Sequence, residues 1–341
     1  MLYKIPVFYD RDFLNQVIAV RKKYIMNQLI ILTGPTAVGK TDLSIKLAKA
    51  VDGEIISADS IQVYKDMNIG SAKISNDEMQ GVPHHLIDVL YPNEDFNVMS
   101  FKNMAKVAMN GIYERGHIPI ITGGTGFYIQ ALLYDIDFKE NEDDGYRSEL
   151  ENLLVQKGAE YLHNMLKEID KKSAEDIHYN NSKKVIRALE YYHQTGERIS
   201  FHNETERAKT SPYNFAYFVL NCDRAKLYER IEQRIDIMLE QGLINEVKEL
   251  IDRYNLTKDM TSMQGLGYKE IFAYLKGEIS LEEAIYILKR DTRHFAKRQL
   301  TWFRREKDVI WVDKDIYDTD EKCLEYMLGN LKEKKIWEQT N

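Results

Sequence analysis

At 341 residues, with 44% hydrophobic and 30% charged side chains, the chain has the composition of a globular protein and the length of an α/β core plus a second unit. A net charge of −7 excludes a uniformly basic nucleic-acid binder but leaves room for a local basic face. No run of about 18 apolar residues is present, so no membrane span is expected; the two distant cysteines, Cys222 and Cys323, give no thiolate zinc site and suit a reducing cytoplasm.

Residues 1–25 carry Lys4, Asp10, Arg11, Arg21, Lys22 and Lys23 with no clean apolar segment, so a peripheral extension is expected there rather than a signal peptide. Met26 would itself be a sensible start. The apolar run Leu29–Leu32 then reads as a buried strand. Gly34-Pro35-Thr36-Ala37-Val38-Gly39-Lys40-Thr41 fits G-x-x-x-x-G-K-[ST], and an amphipathic helix with Leu43, Leu47 and Ala50 follows. In that order the loop amides and the helix N-terminus form a phosphate cradle. Lys40 can reach the outer phosphate, and the Thr41 hydroxyl can ligate Mg²⁺. The motif says that a di- or triphosphate binds, not which one.

Ile55 and Ile56 form a second short strand with Asp59-Ser60 at its carboxyl end. Ligands of open parallel sheets bind off those ends, so Asp59 should face the same crevice, as a magnesium ligand or a base. Residues 83–88 read as a third strand. His84 and His85 are adjacent, point to opposite faces and cannot easily share an ion. A helix over Ser100–Arg115 leads to the strand Ile118–Ile121, a second glycine turn at residues 122–126, and a helix from Phe127 to Leu133. The alternation predicts an α/β fold: a P-loop core, residues 26–138 and 211–341, with a parallel sheet flanked by helices.

The pattern breaks at about Phe138, where an acidic linker begins, and residues 139–210 show only helical signals, as an all-helical insertion would. The core resumes with a strand at Phe215–Leu220. Helices are expected at 224–241, 244–253, 268–274 and 281–304, a last strand at Val309–Val312 and a closing helix at Glu321–Trp337. Arg230 and Arg234 are i, i+4 neighbours that can act on one anionic group, or can lie on a solvated face beside Glu229 and Glu232. Lys289–Lys307 holds eight Lys/Arg against two acids, interleaved with His294, Phe295, Trp302 and Phe303. Arg290, Arg293, Lys297 and Arg304 fall roughly on one helical face that suits a phosphate backbone, while the aromatics are expected in the core. Lys183-Lys184-Val185-Ile186-Arg187 is a smaller basic patch. On the residues alone, a P-loop small-molecule kinase leads, and a nucleotide switch without an N-K-x-D segment comes last.

Eight stretches in one order decide otherwise: 34–41, 56–64, 81–88, 122–132, 180–190, 230–239, 264–270 and 292–304. Together they resemble the tRNA dimethylallyltransferase family of bacterial type, over most of the chain from about Leu29 to Arg304. The resemblance implies transfer of the dimethylallyl group from dimethylallyl diphosphate to N6 of adenosine 37, in tRNAs reading codons that start with U. The phosphate loop, Gly34 to Thr41, would then hold a diphosphate leaving group with Lys40, Mg²⁺ on Thr41, and Arg230 or Arg234. Asp59 would accept the N6 proton, and Thr125 would contact the target adenosine. The tRNA-contacting residues implied are Asp59, Ser60, Ile61 and Gln62; Lys183 to Arg187; Gln264, Gly267 and Lys269. Arg293, Lys297 and Arg298 of the basic helix are expected to join them. The helical insertion would clamp the anticodon stem-loop, in a cytoplasmic monomer without a zinc finger. The related rival is an isopentenyltransferase acting on free AMP, which should need no such clamp.

Overall fold

The computed structural model describes residues 27–138 and 144–338. The expected N-terminal extension and most of the acidic linker lie outside these residues. The chain divides into two compact units, one reaching to Leu133 and resuming at Pro212, the other spanning Tyr134–Ser211.

In the first unit, β1 (Gln28–Thr33) is buried along its whole length, as a parallel strand covered on both faces must be. The phosphate loop turns it into α1 (Lys40–Val51), which buries Leu43, Leu47 and Val51 on one stripe. Gly39 starts that helix at φ 90°, in the left-handed region where glycine carries no Cβ penalty. Then come β2 (Gly53–Ser57), a single turn α2 (Asn76–Met79) and β3, which is only His84–His85. The strand expected over 83–88 stops short because Leu86 and Asp88 take φ 62° and 54°, which no ladder accommodates. Asn97 caps α3 (Val98–Arg115), its Oδ1 accepting from the Met99 and Ser100 N–H groups. β4 (Ile118–Gly123) and α4 (Gly126–Leu133) follow.

The second unit is helical: α5 (Tyr146–Lys157), α6 (Ala159–Ile169), α7 (Lys171–Asp176), α8 (Ser182–Thr195) and α9 (Ile199–Ala208). Its own core gathers Leu150, Leu162, Leu166, Val185, Ile186 and Leu189. Buried Asp170 accepts hydrogen bonds from the Ser173 and Ser200 N–H groups and the Ser173 hydroxyl, pinning α7 and α9 together.

The first unit resumes with β5 (Asn214–Asn221), α10 (Arg224–Glu240), α11 (Leu243–Tyr254), a short 3₁₀ turn at Thr261–Gln264 and α12 (Tyr268–Leu275). It ends with α13 (Leu281–Phe303), β6 (Val309–Asp313) and α14 (Asp320–Glu333). The closing helix is shorter than expected because Lys335 takes φ 54° just after it. The six strands pair in parallel in the order β3-β2-β4-β1-β5-β6. β1 and β4 are neighbours, so the two glycine turns leave the sheet side by side at its carboxyl edge.

Across the sheet from that edge Glu54, 2% exposed, holds β2 to its surroundings. Arg115 donates to its two oxygens at 2.8 and 2.7 Å, and the His85 ring lies 2.7 Å from Oε2. Burial alone would raise this carboxyl, but the bonds from Arg115 and His85 outweigh it and hold the group below 4.5. Glu54→Gln is expected to cost about 2 kcal/mol near neutral pH, since half-exposed Arg115 can rehydrate. A group depressed by folding stabilises above its unfolded value, so this contribution is complete above 4.5 and is lost as pH falls through the folded value. Urea unfolding of both proteins, near neutrality and at acid pH, should show the gap closing on the acid side.

Candidate active site

A cavity of about 360 Å³ opens at the carboxyl edge of the sheet, within the first unit. The phosphate loop, the end of β2, the second glycine turn and the faces of α10 and α13 line it.

The acid side is built by backbone. The Ala58 N–H donates to the Thr122 carbonyl at 2.7 Å, and the Thr125 N–H donates to the Ala58 carbonyl at 3.3 Å. These bonds lock the residue before Asp59 to the turn carrying Thr125, and both side chains reach the cavity. Asp59 is held in turn: its Oδ1 accepts from the Ile61 N–H at 2.9 Å and the Gln62 N–H at 3.3 Å. Its negative charge is felt by buried Tyr128, whose hydroxyl is pushed up to about 12, first by burial and then by Asp59.

The cationic side faces it. Lys40 Nζ donates to the Gly34 and Pro35 carbonyls at 3.1 and 2.8 Å, and is within ion-pair distance of no carboxylate among the described residues. Burial, then the neighbouring Arg234 guanidinium, bring its ammonium down to about 7; Asp59 acts in the other direction. Arg234 is lowered as well, by burial. With Asp59 and Asp42 acting on them only through their fields, and no carboxylate in ion-pair contact with either among the described residues, Lys40 and Arg234 form an anion site.

Of the two arginines, only Arg234 lines this cavity. Arg230, expected to share the phosphate, is one turn nearer the start of α10, exposed, and in the field of Asp315. The difference is axial: residues 230 and 234 share a helical face, and the cavity meets α10 at Ile231, Arg234, Ile235 and Met238, leaving Arg230 outside its lining. Ser60, Ile61, Gln62, Gln264, Gly267, Lys269 and Arg298 line the cavity, and Thr41 does too. Val185 and Ile186, expected at an RNA surface, are 0% and 3% exposed in the helical core. Only Lys183, Lys184 and Arg187 of that patch are exposed.

The basic stretch on α13 divides. Lys289, Arg290 and Arg293 are paired with Asp236, Asp291 and Glu232. His294, Lys297, Arg298, Thr301, Trp302 and Arg305 instead line an open groove of about 390 Å³. Phe303 is core, whereas Phe295 lines the cavity. His84 faces the cavity with its Nδ1 2.8 Å from the Val82 carbonyl, while His85 faces Glu54, in line with opposite sides of one strand.

Three groups of site residues escape sequence reasoning. Ile231, Ile235, Met238, Leu288 and Phe295 form an apolar wall; their helical spacing is visible but reads as ordinary core. Glu246 accepts from the Asn68, Ile69 and Gly70 N–H groups and the Tyr268 hydroxyl, fixing a loop whose residues 70–72 line the cavity. Gln299 bonds both glycine turns. Among the described residues, no cluster of three His, Cys, Asp or Glu side chains could hold a metal, and no helix is long and apolar enough to cross a membrane.

Comparison with known proteins places this geometry. The IPP transferase family profile matches residues 62–306, and an isopentenyl transferase profile matches residues 27–90. A tRNA dimethylallyltransferase of Lachnoclostridium phytofermentans is 59% identical over 312 residues, 91% of this chain and 99% of that protein. The crystal structure of the full-length tRNA isopentenylpyrophosphate transferase of Bacillus halodurans matches with a TM-score of 0.68 and 44% identity, over 90% of this chain and 98% of that one. A eukaryotic dimethylallyltransferase acting on tRNA matches with a TM-score of 0.74 and 30% identity, over 89% of this chain and 78% of that one.

Proposed function

The chain belongs to the tRNA dimethylallyltransferase family, and on that premise we propose that its cavity passes the dimethylallyl group of dimethylallyl diphosphate to N6 of adenosine 37, in tRNAs reading codons that start with U. The observation that carries this reading is the pairing of Lys40 and Arg234, neither in an ion pair among the described residues, with an apolar wall on one side and Asp59 on the other. The cations and loop amides suit a diphosphate. The wall of Ile231, Ile235, Met238, Leu288 and Phe295 suits a five-carbon hydrocarbon better than the polar edges of a nucleotide.

In the reaction the C1–O bond to diphosphate breaks, its electron pair leaving on the diphosphate oxygen. A bond from C1 to N6 forms, and the N6 proton passes to Asp59. The exocyclic amine is a poor nucleophile, since its lone pair is delocalised into the ring, so leaving-group stabilisation and a base must act together. Lys40, Arg234 and the loop amides take up the charge developing on diphosphate. Thr125, fixed to the same backbone corner as Asp59, would contact the adenine. Thr41, which lines the cavity and carries a hard hydroxyl oxygen, would hold Mg²⁺ when diphosphate is bound. Such an ion would supply charge neutralisation on the leaving group.

An adenine stacked in an anticodon loop must be turned out to enter the cavity. Lys297, Arg298 and Arg305 around the open groove, and exposed Lys183, Lys184 and Arg187 on α8, are basic surfaces suited to the tRNA backbone. The insertion, residues 139–210, would grip the anticodon stem-loop. Two free, buried cysteines fit a cytoplasmic enzyme, which we take to act as a monomer. An anticodon stem-loop with adenosines at positions 36–38 should accept label from dimethylallyl diphosphate, and the same loop with guanosine at 37 should not. Equal labelling of both would remove the assignment to position 37.

A further inference from the structure

Gln299 lies near the end of α13 and is 5% exposed. Its Oε1 accepts from the Thr36 N–H at 2.9 Å, and its Nε2 donates to the Gly124 carbonyl at 3.0 Å. One side-chain amide therefore ties the phosphate loop to the second glycine turn. Its orientation is fixed, because a flipped amide would set NH₂ against N–H and oxygen against oxygen. Contact is close: a Cβ on Gly124 would lie 2.1 Å from Nε2. Beneath the loops, the strands are already cross-tied, Thr33 Oγ1 donating to the Gly123 carbonyl at 2.6 Å and Thr122 Oγ1 to the Leu32 carbonyl at 3.0 Å. Gln299 carries that tie from the base of the two loops out to the cavity, which it lines.

We propose that Gln299 is a positioning residue that sets the spacing between the loop holding diphosphate and the turn carrying Thr125, and so the alignment of C1 with N6. The inference rests on the reaction proposed above. The strut touches neither reacting atom. It acts through two backbone groups, and a displacement of about 1 Å between donor and acceptor is enough to cost about 10²-fold in rate.

Gln299→Leu removes both bonds at similar volume. Assayed well below its melting temperature, it is expected to lose about 30- to 100-fold in kcat and to bind inorganic diphosphate about 3- to 10-fold more weakly. Gln299→Glu keeps the acceptor for Thr36 but opposes oxygen to the Gly124 carbonyl. Its deficit relative to wild type should shrink as pH falls and the carboxyl gains a proton to donate. Gly124→Ala should be damaging in the wild-type background and add little to Gln299→Ala, where the methyl group meets only the Gly34 carbonyl at 3.9 Å, an ordinary van der Waals distance. A folded Gln299→Leu variant with wild-type kcat and diphosphate affinity would overturn the proposal, whatever its melting temperature. If the wild-type protein itself transfers no dimethylallyl group, the reaction reading fails separately. Diphosphate binding then decides for the strut: weakened in Gln299→Leu it stands, unchanged it falls.

Discussion

Asp59→Asn is expected to lower kcat by about 10²- to 10⁴-fold, the range lost with a general base, while diphosphate affinity stays within about 3-fold. The substitution is conservative in structure. The amide oxygen it introduces can still accept from the Ile61 and Gln62 N–H groups, so the turn after β2 keeps its shape. What it removes is the proposed acceptor of the N6 proton. The affinity expectation follows from position: Asp59 acts on Lys40 through its field, behind burial and Arg234 in weight, and bonds neither Lys40 nor the loop. Losing a negative charge also favours an anion slightly, so a large fall in diphosphate binding would point to misfolding. Single-turnover transfer and calorimetry with inorganic diphosphate measure the two quantities separately. A near-normal rate would mean that the proton leaves by another route.

Lys40→Met and Arg234→Gln are each expected to cost about 10²- to 10³-fold in kcat, as the loss of one preorganised charge opposite a developing anion does. The matched control is Arg230→Gln. It removes the same charge one turn away, but from an exposed position outside the cavity, and should stay within about 3-fold of wild type. Comparable losses at 230 and 234 would contradict the placement of Arg234 as the arginine facing the leaving group. Steady-state kinetics on the three variants with one tRNA stem-loop is sufficient.

The legible part of this protein is the part written in short-range pattern. The phosphate loop needs a strand, two glycines, a lysine and a helix in immediate succession, and all are local. Asp59 could be read because the carboxyl end of a parallel strand is a known address for ligands. Arg230 and Arg234 could not be separated, since as i, i+4 neighbours they share a helical face and differ only in where along α10 the cavity meets it. Val185 and Ile186 sit in a basic run yet serve the helical core with Ala188 and Leu189, because a helix returns to its inward face every third or fourth residue. Gln299 was invisible: its partners are 263 and 175 residues away in sequence, and nothing near it distinguishes a strut from a surface amide. The apolar wall was visible as pattern but mute about its role, since the same spacing fills any core.

The most direct test of the account offers labelled dimethylallyl diphosphate and Mg²⁺ to the full-length protein with three acceptors: an adenosine-37 anticodon stem-loop, free AMP, and a small hydroxyl substrate with labelled ATP in place of the prenyl donor. Label in the stem-loop alone, on N6, is the predicted result. Prenylated AMP at a comparable rate, or phosphate transfer from ATP with no prenyl transfer, would contradict it.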